Sequence, residues 1–124
     1  MNFGAPTPIL RIFDEDKARA FYVACLGFRV DWEHRFEPDL PLYLQVSRGQ
    51  CRLHLSEHHG DCCPGGAVRI DCDDVAALLA ELQAKNYPML RPCLESPPWG
   101  GTELTLLDPA NNRVVFVEAA AKSS

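Results

Sequence analysis

The sequence has no long apolar run and little positive charge, and both absences restrict the partners of the chain. No stretch approaches the roughly 18 consecutive apolar residues of a membrane-spanning helix. The opening residues, MNFGAPTPIL, lack the basic and apolar regions of a secretory signal. We therefore expect a cytoplasmic protein without a membrane partner. Only 12 Lys and Arg oppose 17 Asp and Glu, a formal net charge of −5, which argues against nucleic acid because phosphate backbones require concentrated positive charge.

Motifs of several enzyme classes are missing as well. The sequence contains no phosphate-binding loop, no G-x-G-x-x-G and no G-x-S-x-G, so nucleotide binding and serine hydrolysis through the usual motifs are excluded. By length, 124 residues form one domain, which we expect to span 5–119.

Two segments carry apolar residues at helical spacing, and the segments between them have the pattern of strands. The helices are predicted in DEDKARAFYVACLG (14–27) and CDDVAALLAELQAKN (72–86). Asp14 and Asp73 are the expected N-caps. Each helix has a single apolar stripe, which favours packing on one side of a sheet. Strands are predicted at 8–13, 28–36, 42–47, 51–57, 66–71, 88–93, 102–107 and 113–118.

The element order β-α-β-β-β therefore occurs twice, and short internal matches support a repeat. LRIFDED (10–16) corresponds to VRIDCDD (68–74), and RLHLSE (52–57) to RVVFVE (113–118). The predicted fold class is α+β, with two tandem β-α-β-β-β modules. Module one covers 6–58, a linker covers 59–66, and module two covers 67–118.

Two motifs carry a family resemblance. RAFYVACLGFRV (19–30) and PPWGGTELTLLDPANNRVVFVE (97–118) resemble segments of the vicinal oxygen chelate superfamily, which includes glyoxalase I, ring-cleaving dioxygenases and bleomycin-resistance proteins. The Pro-Trp-Gly stretch is most similar to the bleomycin-resistance branch. The resemblance implies a mixed sheet curled around a cup, completed by a homodimer in which N-terminal arms near Pro8 exchange.

Metal-dependent members of that superfamily take their ligands from the first and last strands of each module. The resemblance places the equivalent positions at Thr7, His54, Ala67 and Val115, and only His54 is a strong metal ligand. Because zinc or non-haem iron requires three or four protein ligands, we expect no metal and no other cofactor.

The histidines and cysteines of the linker offer a second possible metal site. A zinc site of His58, His59, Cys62 and Cys63 is conceivable, but adjacent residues rarely ligate one ion and the usual spacings are absent. We favour an exposed polar loop.

Alternation along the strands indicates which side chains face the cup. Arg52 and His54 share one face of their strand, and Tyr43 with Gln45, and Glu103, have the same orientation on theirs. Trp99 is interpreted either as a stacking wall for a ligand or as a packing anchor, Phe36 as a rim residue, and Trp32 as part of the core. The predicted ligand-binding residues are His54, Trp99, Tyr43, Gln45, Glu103, Arg52 and Phe36.

Three functions follow as hypotheses from the resemblance and these residues. The first is a bleomycin-resistance-like protein that sequesters a small, cationic ligand without catalytic residues. The alternative is a divergent metal-dependent glyoxalase- or dioxygenase-like enzyme that uses His54. A third is a binding domain for a metabolite unrelated to antibiotics.

Overall fold

The structure is a computed structural model that describes residues 1–87 and 92–120. Its order of elements is β-α-β-β-β followed by a second β-α-β-β-β. In the first half, strands β1 to β4 are Ile9–Arg11, Arg29–Arg35, Leu42–Arg48 and Cys51–Ser56, and helix α1, Glu15–Arg19, continues into a π-helical segment, Ala20–Cys25. In the second half, strands β5 to β8 are Ala67–Asp71, Cys93–Glu95, Thr102–Leu107 and Arg113–Glu118, and helix α2 is Val75–Lys85.

The strands form two four-stranded mixed sheets with the same topology. The first sheet has the order β1-β4-β3-β2 and the second has the order β5-β8-β7-β6. In each sheet the module's first strand runs parallel to its last, and the other pairs are antiparallel. This equivalence confirms the predicted fold class. The predicted strand at 88–93 falls mostly on residues 88–91, which lie outside the described residues, and β6 begins at Cys93.

Acidic caps begin both helices. An Asp14 oxygen accepts a hydrogen bond from Lys17 N at 3.1 Å, as predicted. The cap of α2 is Asp74, which accepts from Ala77 N at 2.9 Å. The prediction of Asp73 was wrong by one position, because two consecutive aspartates fit the cap pattern equally well.

One apolar core joins the two modules. The leucines and valines of β3 and β4 that alternate toward the helices are buried, and so are Leu104 and Leu106 of β7. Contacts between the modules are also polar, because the Tyr22 hydroxyl donates to Asp108 at 2.6 Å and Arg48 forms an ion pair with Glu81 at 2.8 Å. Among residues 1–87 and 92–120, no helix is long and apolar enough to cross a membrane.

Candidate ligand-binding site

Each sheet has a face that points away from the apolar core, which we call its open face. On the first sheet, residues paired across neighbouring strands share a face, and Gln45 pairs with both Trp32 and His54. Tyr43 and His54 are half-buried there, whereas Leu42 and Leu44 on the opposite face are buried. Three of the predicted residues, Tyr43, Gln45 and His54, therefore lie together.

A continuous chain of hydrogen bonds connects these side chains. The Tyr43 hydroxyl lies 2.6 Å from Nδ1 of His54, and Nε2 of His54 lies 3.0 Å from Oε1 of Gln45. Gln45 in turn donates from Nε2 to Asp31 at 2.9 Å, and Ser47 donates to the other Asp31 oxygen at 2.9 Å. Asp31 was not among the predicted site residues, because only the folded register brings it beside Gln45.

The environment keeps the Tyr43–His54 pair uncharged near pH 7. Burial, and secondarily the guanidinium of Arg52, lowers the pKa of His54. Burial is also the main reason that the pKa of Tyr43 is raised, with smaller contributions from Asp61 and Cys62. Both shifts favour the neutral form, so the pair holds its proton on the phenol.

Trp32 belongs to this surface, which corrects its prediction as a core residue. Its ring stacks on Tyr43 with centroids 6.0 Å apart and planes 10° apart, and it meets His54 edge-on at 5.2 Å. The side chain is 43% exposed. A β-bulge lies between Val30 and Trp32. Regular alternation would have placed Trp32 beside Val30 on the core side, but the extra residue reverses it. Nothing in the sequence marks that bulge.

The open face of the second sheet carries an ion pair. Arg69 Nη2 lies 2.8 Å from Glu103 Oε2, and the hydrogen bond from Arg69 is the main reason that the pKa of Glu103 is lowered, with the Trp99 indole contributing less. Glu103 therefore already has a cationic partner. Arg69 was missed in the sequence, although the parallel pairing of β5 with β8 places it beside Val115 on this face.

Trp99 is an exposed residue of this second region. The indole is 71% exposed, so Trp99 is not a packing anchor within this chain. Gly100 and Gly101 follow it with φ of 93° and 82°. At Gly101 a Cβ would collide with the carbonyl oxygen of Glu118. The glycines thus let the Trp99 loop approach the end of β8, and they explain the Trp-Gly-Gly sequence.

The other two predicted residues are less closely joined to these groups. Arg52 is exposed on β4, two residues before His54 and on the same face. Phe36 follows the end of β2, is 79% exposed, and contacts neither group of site residues through a hydrogen bond or ring pair within the described chain. A groove of about 320 Å³ near the end of β1 contains none of the predicted residues, and its lining is Arg11, Ile12, Phe13, Arg35, Asp39, Leu40, Pro41 and Glu57.

The residues present do not fit a metal ion. Both ring nitrogens of His54 already have hydrogen-bond partners. Glu57 and Glu118, the nearest other carboxylates of the terminal strands, accept hydrogen bonds from Leu42 N and Val75 N. Over residues 1–87 and 92–120, no three His, Cys, Asp or Glu side chains are grouped closely enough to hold a metal.

The linker residues do not form such a group either. His58, His59 and Cys63 are exposed, and Cys62 is half-buried. Asp61 between them accepts a hydrogen bond from the Ser56 hydroxyl at 2.7 Å. The segment is a polar loop packed at one end of the first sheet.

The protein is thus an α+β protein of two equivalent β-α-β-β-β modules, and each module has a mixed sheet whose open face carries polar and aromatic side chains. A family model described as "Glyoxalase superfamily protein" matches residues 1–123. The chain belongs to the glyoxalase superfamily, as the sequence motifs predicted. No curated protein matches it.

Several solved structures have the same fold over nearly their whole length. A bleomycin-binding protein from Streptomyces verticillus, complexed with copper(II)-bleomycin, is 27% identical with a TM-score of 0.72, covering 98% of this chain and 99% of that one. A bleomycin resistance determinant encoded on transposon Tn5 is 23% identical with a TM-score of 0.74, covering 96% and 100%. TnmS3, an antibiotic-binding protein from Streptomyces sp. CB03234, is 21% identical with a TM-score of 0.74, covering 97% and 99%.

Proposed function

We propose that this protein binds and sequesters a small organic molecule on the open faces of its sheets, without catalysing its conversion. The observation that carries the proposal is the exposed Trp32 ring, supported from behind by Tyr43 and His54. Relatives of the same fold that bind bleomycin or another antibiotic support it. Sequestration requires affinity alone, so the lack of an activated nucleophile in the described site is compatible with this function.

Stacking is the main attraction that these faces offer to a ligand. Trp32 and Trp99 both present exposed indole surface, and an aromatic pair contributes about 0.5–1.5 kcal/mol beyond the area it buries. The net charge of −5 attracts cations. We therefore still predict that the ligand is cationic. Glu103 contributes less to that attraction than its charge suggests, because Arg69 already neutralises it.

We also propose that the chain works as a homodimer. A single chain leaves both faces open, whereas ligand sites generally enclose most of a small ligand. The N-terminal arm supports exchange between subunits, because residues 1–6 are exposed and Phe3 is 91% exposed. The arm reaches the first sheet where Pro8 O accepts from His54 N at 2.9 Å. Light scattering of the full chain and of a variant lacking residues 1–5 tests this, and a monomeric full chain would contradict it.

A cytoplasmic location is part of the proposal. All six cysteines are free, and the reducing cytosol keeps thiols in that state. Cys63 and Cys93 are the exposed ones, and Cys62 is half-buried.

Calorimetric titration with metal-free bleomycin and with copper(II)-bleomycin tests the binding function. We expect saturable binding, weakened about tenfold by Trp32→Ala or Trp99→Ala, since one lost stacking contact of about 1.4 kcal/mol has that effect. Phe13→Ala removes an exposed aromatic ring outside both groups of site residues and serves as the control. Absence of binding at high micromolar concentration would exclude bleomycin as the ligand.

Metal analysis of protein purified without an affinity tag tests the enzyme alternative. We expect substoichiometric metal that does not change in His54→Ala. Near-stoichiometric metal that is lost in His54→Ala would favour the enzyme and overturn sequestration.

A further inference from the structure

We infer that Asp31 is the positioning residue of the first sheet's open face: through Gln45 it fixes His54 as the neutral tautomer protonated on Nε2. The result is an uncharged aromatic surface of Trp32, Tyr43 and His54 on which a planar aromatic ring of the ligand stacks. The part of this inference that concerns the ligand rests on the proposed function, whereas the part that concerns the His54 tautomer does not.

The first step concerns the orientation of the Gln45 amide. A carboxylate can only accept hydrogen bonds. The 2.9 Å contact with Asp31 Oδ2 therefore requires the NH₂ group of Gln45 on that side. The Gln45 carbonyl oxygen then faces His54, 3.0 Å from Nε2.

The second step concerns the proton of His54. A carbonyl oxygen also only accepts, so Nε2 of His54 must carry the proton. A neutral imidazole has one N–H, and Nδ1 is therefore the acceptor for the Tyr43 hydroxyl 2.6 Å away. Donation runs in one direction, from Tyr43 through His54 and Gln45 to Asp31.

The groups around His54 favour this neutral state. Arg52 approaches from its own strand and opposes a second positive charge, whereas Asp31 faces the site from β2. The negative charge of Asp31 is offset by Arg29, whose Nε lies 3.1 Å away. From the linker, Asp61 and Cys62 act on Tyr43, and the neighbour of His54 on β1 is the apolar Ile9.

The β-bulge explains why Asp31 can act in this way. Asp31 is the extra residue between Val30 and Trp32, so it has no partner of its own in the strand register. Its side chain reaches Gln45 and Ser47, while Trp32 takes the position opposite Gln45. One backbone irregularity thus supplies both the indole surface and the carboxylate that anchors the groups behind it.

The chain of hydrogen bonds also limits which groups of the site are free to bind a ligand. Both nitrogens of His54 and the amide of Gln45 are occupied. What remains accessible is the 43% exposed indole of Trp32. A flat aromatic ring can stack there without breaking a hydrogen bond, whereas a ligand that bound a nitrogen of His54 would break one.

Nitrogen-15 NMR of the His54 side chain at pH 7.5 tests the tautomer directly. We expect the pattern of a single Nε2–H tautomer in the native protein. Asp31→Ala should give a mixture, since Gln45 is then free to reverse. Asp31→Asn should instead move the proton to Nδ1, because its single carbonyl oxygen stays on the side where Ser47 and Arg29 donate and its NH₂ group then faces Gln45. Asp39→Ala, which removes a carboxylate outside this network, is the matched control. Gln45→Leu should give the same mixture as Asp31→Ala by removing the next link.

Titration with quinoline, which is planar and uncharged at pH 7.5, tests the ligand class. We expect Asp31→Ala to weaken quinoline binding several-fold and Trp32→Ala to abolish it. A single tautomer in Asp31→Ala, or quinoline binding unchanged in that variant, would overturn the inference while leaving sequestration intact. If native protein does not bind quinoline, the assignment of a planar aromatic ring fails, and the NMR result alone decides the role of Asp31.

Discussion

The positive charge of Arg52 opposes the protonation of His54. Its guanidinium is exposed two residues away on β4, and it is the second cause, after burial, of the lowered His54 pKa. A neutral His54 can accept the hydrogen bond of the Tyr43 hydroxyl through Nδ1, and a charged one cannot. The exposed arginine therefore helps to preserve the direction of the hydrogen-bond chain.

We predict that Arg52→Gln raises the pKa of His54, because it removes a positive charge that opposes protonation. In the native protein this pKa lies below the unfolded value of about 6.5. The contribution of His54 to the free energy of unfolding is therefore complete above about pH 6.5 and is lost as the pH falls through the pKa of the folded state. The variant should lose less stability across this acid range. NMR titration of His54 and urea unfolding at several pH values measure both effects.

Arg113→Gln removes an exposed arginine from the open face of the second sheet and is the control. An equal change of the His54 pKa in both variants would mean that net charge, rather than the position of Arg52, sets it.

The start of helix α2 shows how neighbouring elements supply caps. Asp74 accepts from Ala77 N, and Glu118 at the end of β8 accepts from Val75 N at 2.8 Å. Two carboxylates thus satisfy donors that the first turn of a helix leaves unpaired, where negative charge is also favoured.

We predict that Asp74→Ala lowers the free energy of unfolding by about 1 kcal/mol, the usual cost of a lost N-cap. Asp73→Ala is the matched control one residue earlier, and it should change stability by less than about 0.5 kcal/mol. Urea unfolding at pH 7 measures both. Equal losses would show that the two aspartates share the cap.

The turn between Trp99 and β7 requires glycine at position 101. Gly101 has φ of 82°, and the space a Cβ would need is occupied by the carbonyl oxygen of Glu118. Gly49 has a similar φ of 60°, but open space surrounds its Cβ position.

We therefore predict that Gly101→Ala destabilises the protein by at least about 2 kcal/mol, since it combines left-handed strain with overlap against backbone. Gly49→Ala should cost only about 1 kcal/mol from the strain. Thermal unfolding compares them, and tryptophan fluorescence of Gly101→Ala should report a displaced Trp99. Equal costs for the two variants would contradict the backbone overlap.

For the whole molecule, the periodicity of apolar residues predicted the fold better than individual residues predicted the site. The repeated element order and the side of each strand that faces the core follow from apolar spacing, because burial enforces them along whole elements. Trp32, Asp31 and Arg69 did not follow from the sequence. A bulge reverses alternation locally, and partners across strands depend on register, which only the packed fold determines.

The two modules are held together by a buried polar centre in addition to their apolar core. Asp108 accepts hydrogen bonds from the Tyr22 hydroxyl, from the backbone of Ala110 and Asn112, and from the Asn112 amide. Asn112 also donates to Arg11 O at 2.7 Å. This centre accounts for the Asp-Pro-x-x-Asn sequence, since its aspartate and asparagine connect the hairpin of module two to the helix and first strand of module one.

The last prediction concerns this centre. Tyr22→Phe leaves the buried Asp108 carboxylate with one donor fewer, and a hydrogen bond to a charged group is worth about 1.5–3 kcal/mol. Tyr43→Phe, at a half-buried site with a neutral partner, should cost only about 0.5–1.5 kcal/mol.

Burial, and then Asp108, raises the pKa of Tyr22 well above its usual value. Stability from this group is therefore full below the unfolded pKa of about 10 and is lost as pH rises beyond it. Urea unfolding from pH 7 to 11 should show a steeper alkaline loss in the native protein than in Tyr22→Phe. Parallel alkaline limbs would mean that folding does not raise the pKa of Tyr22.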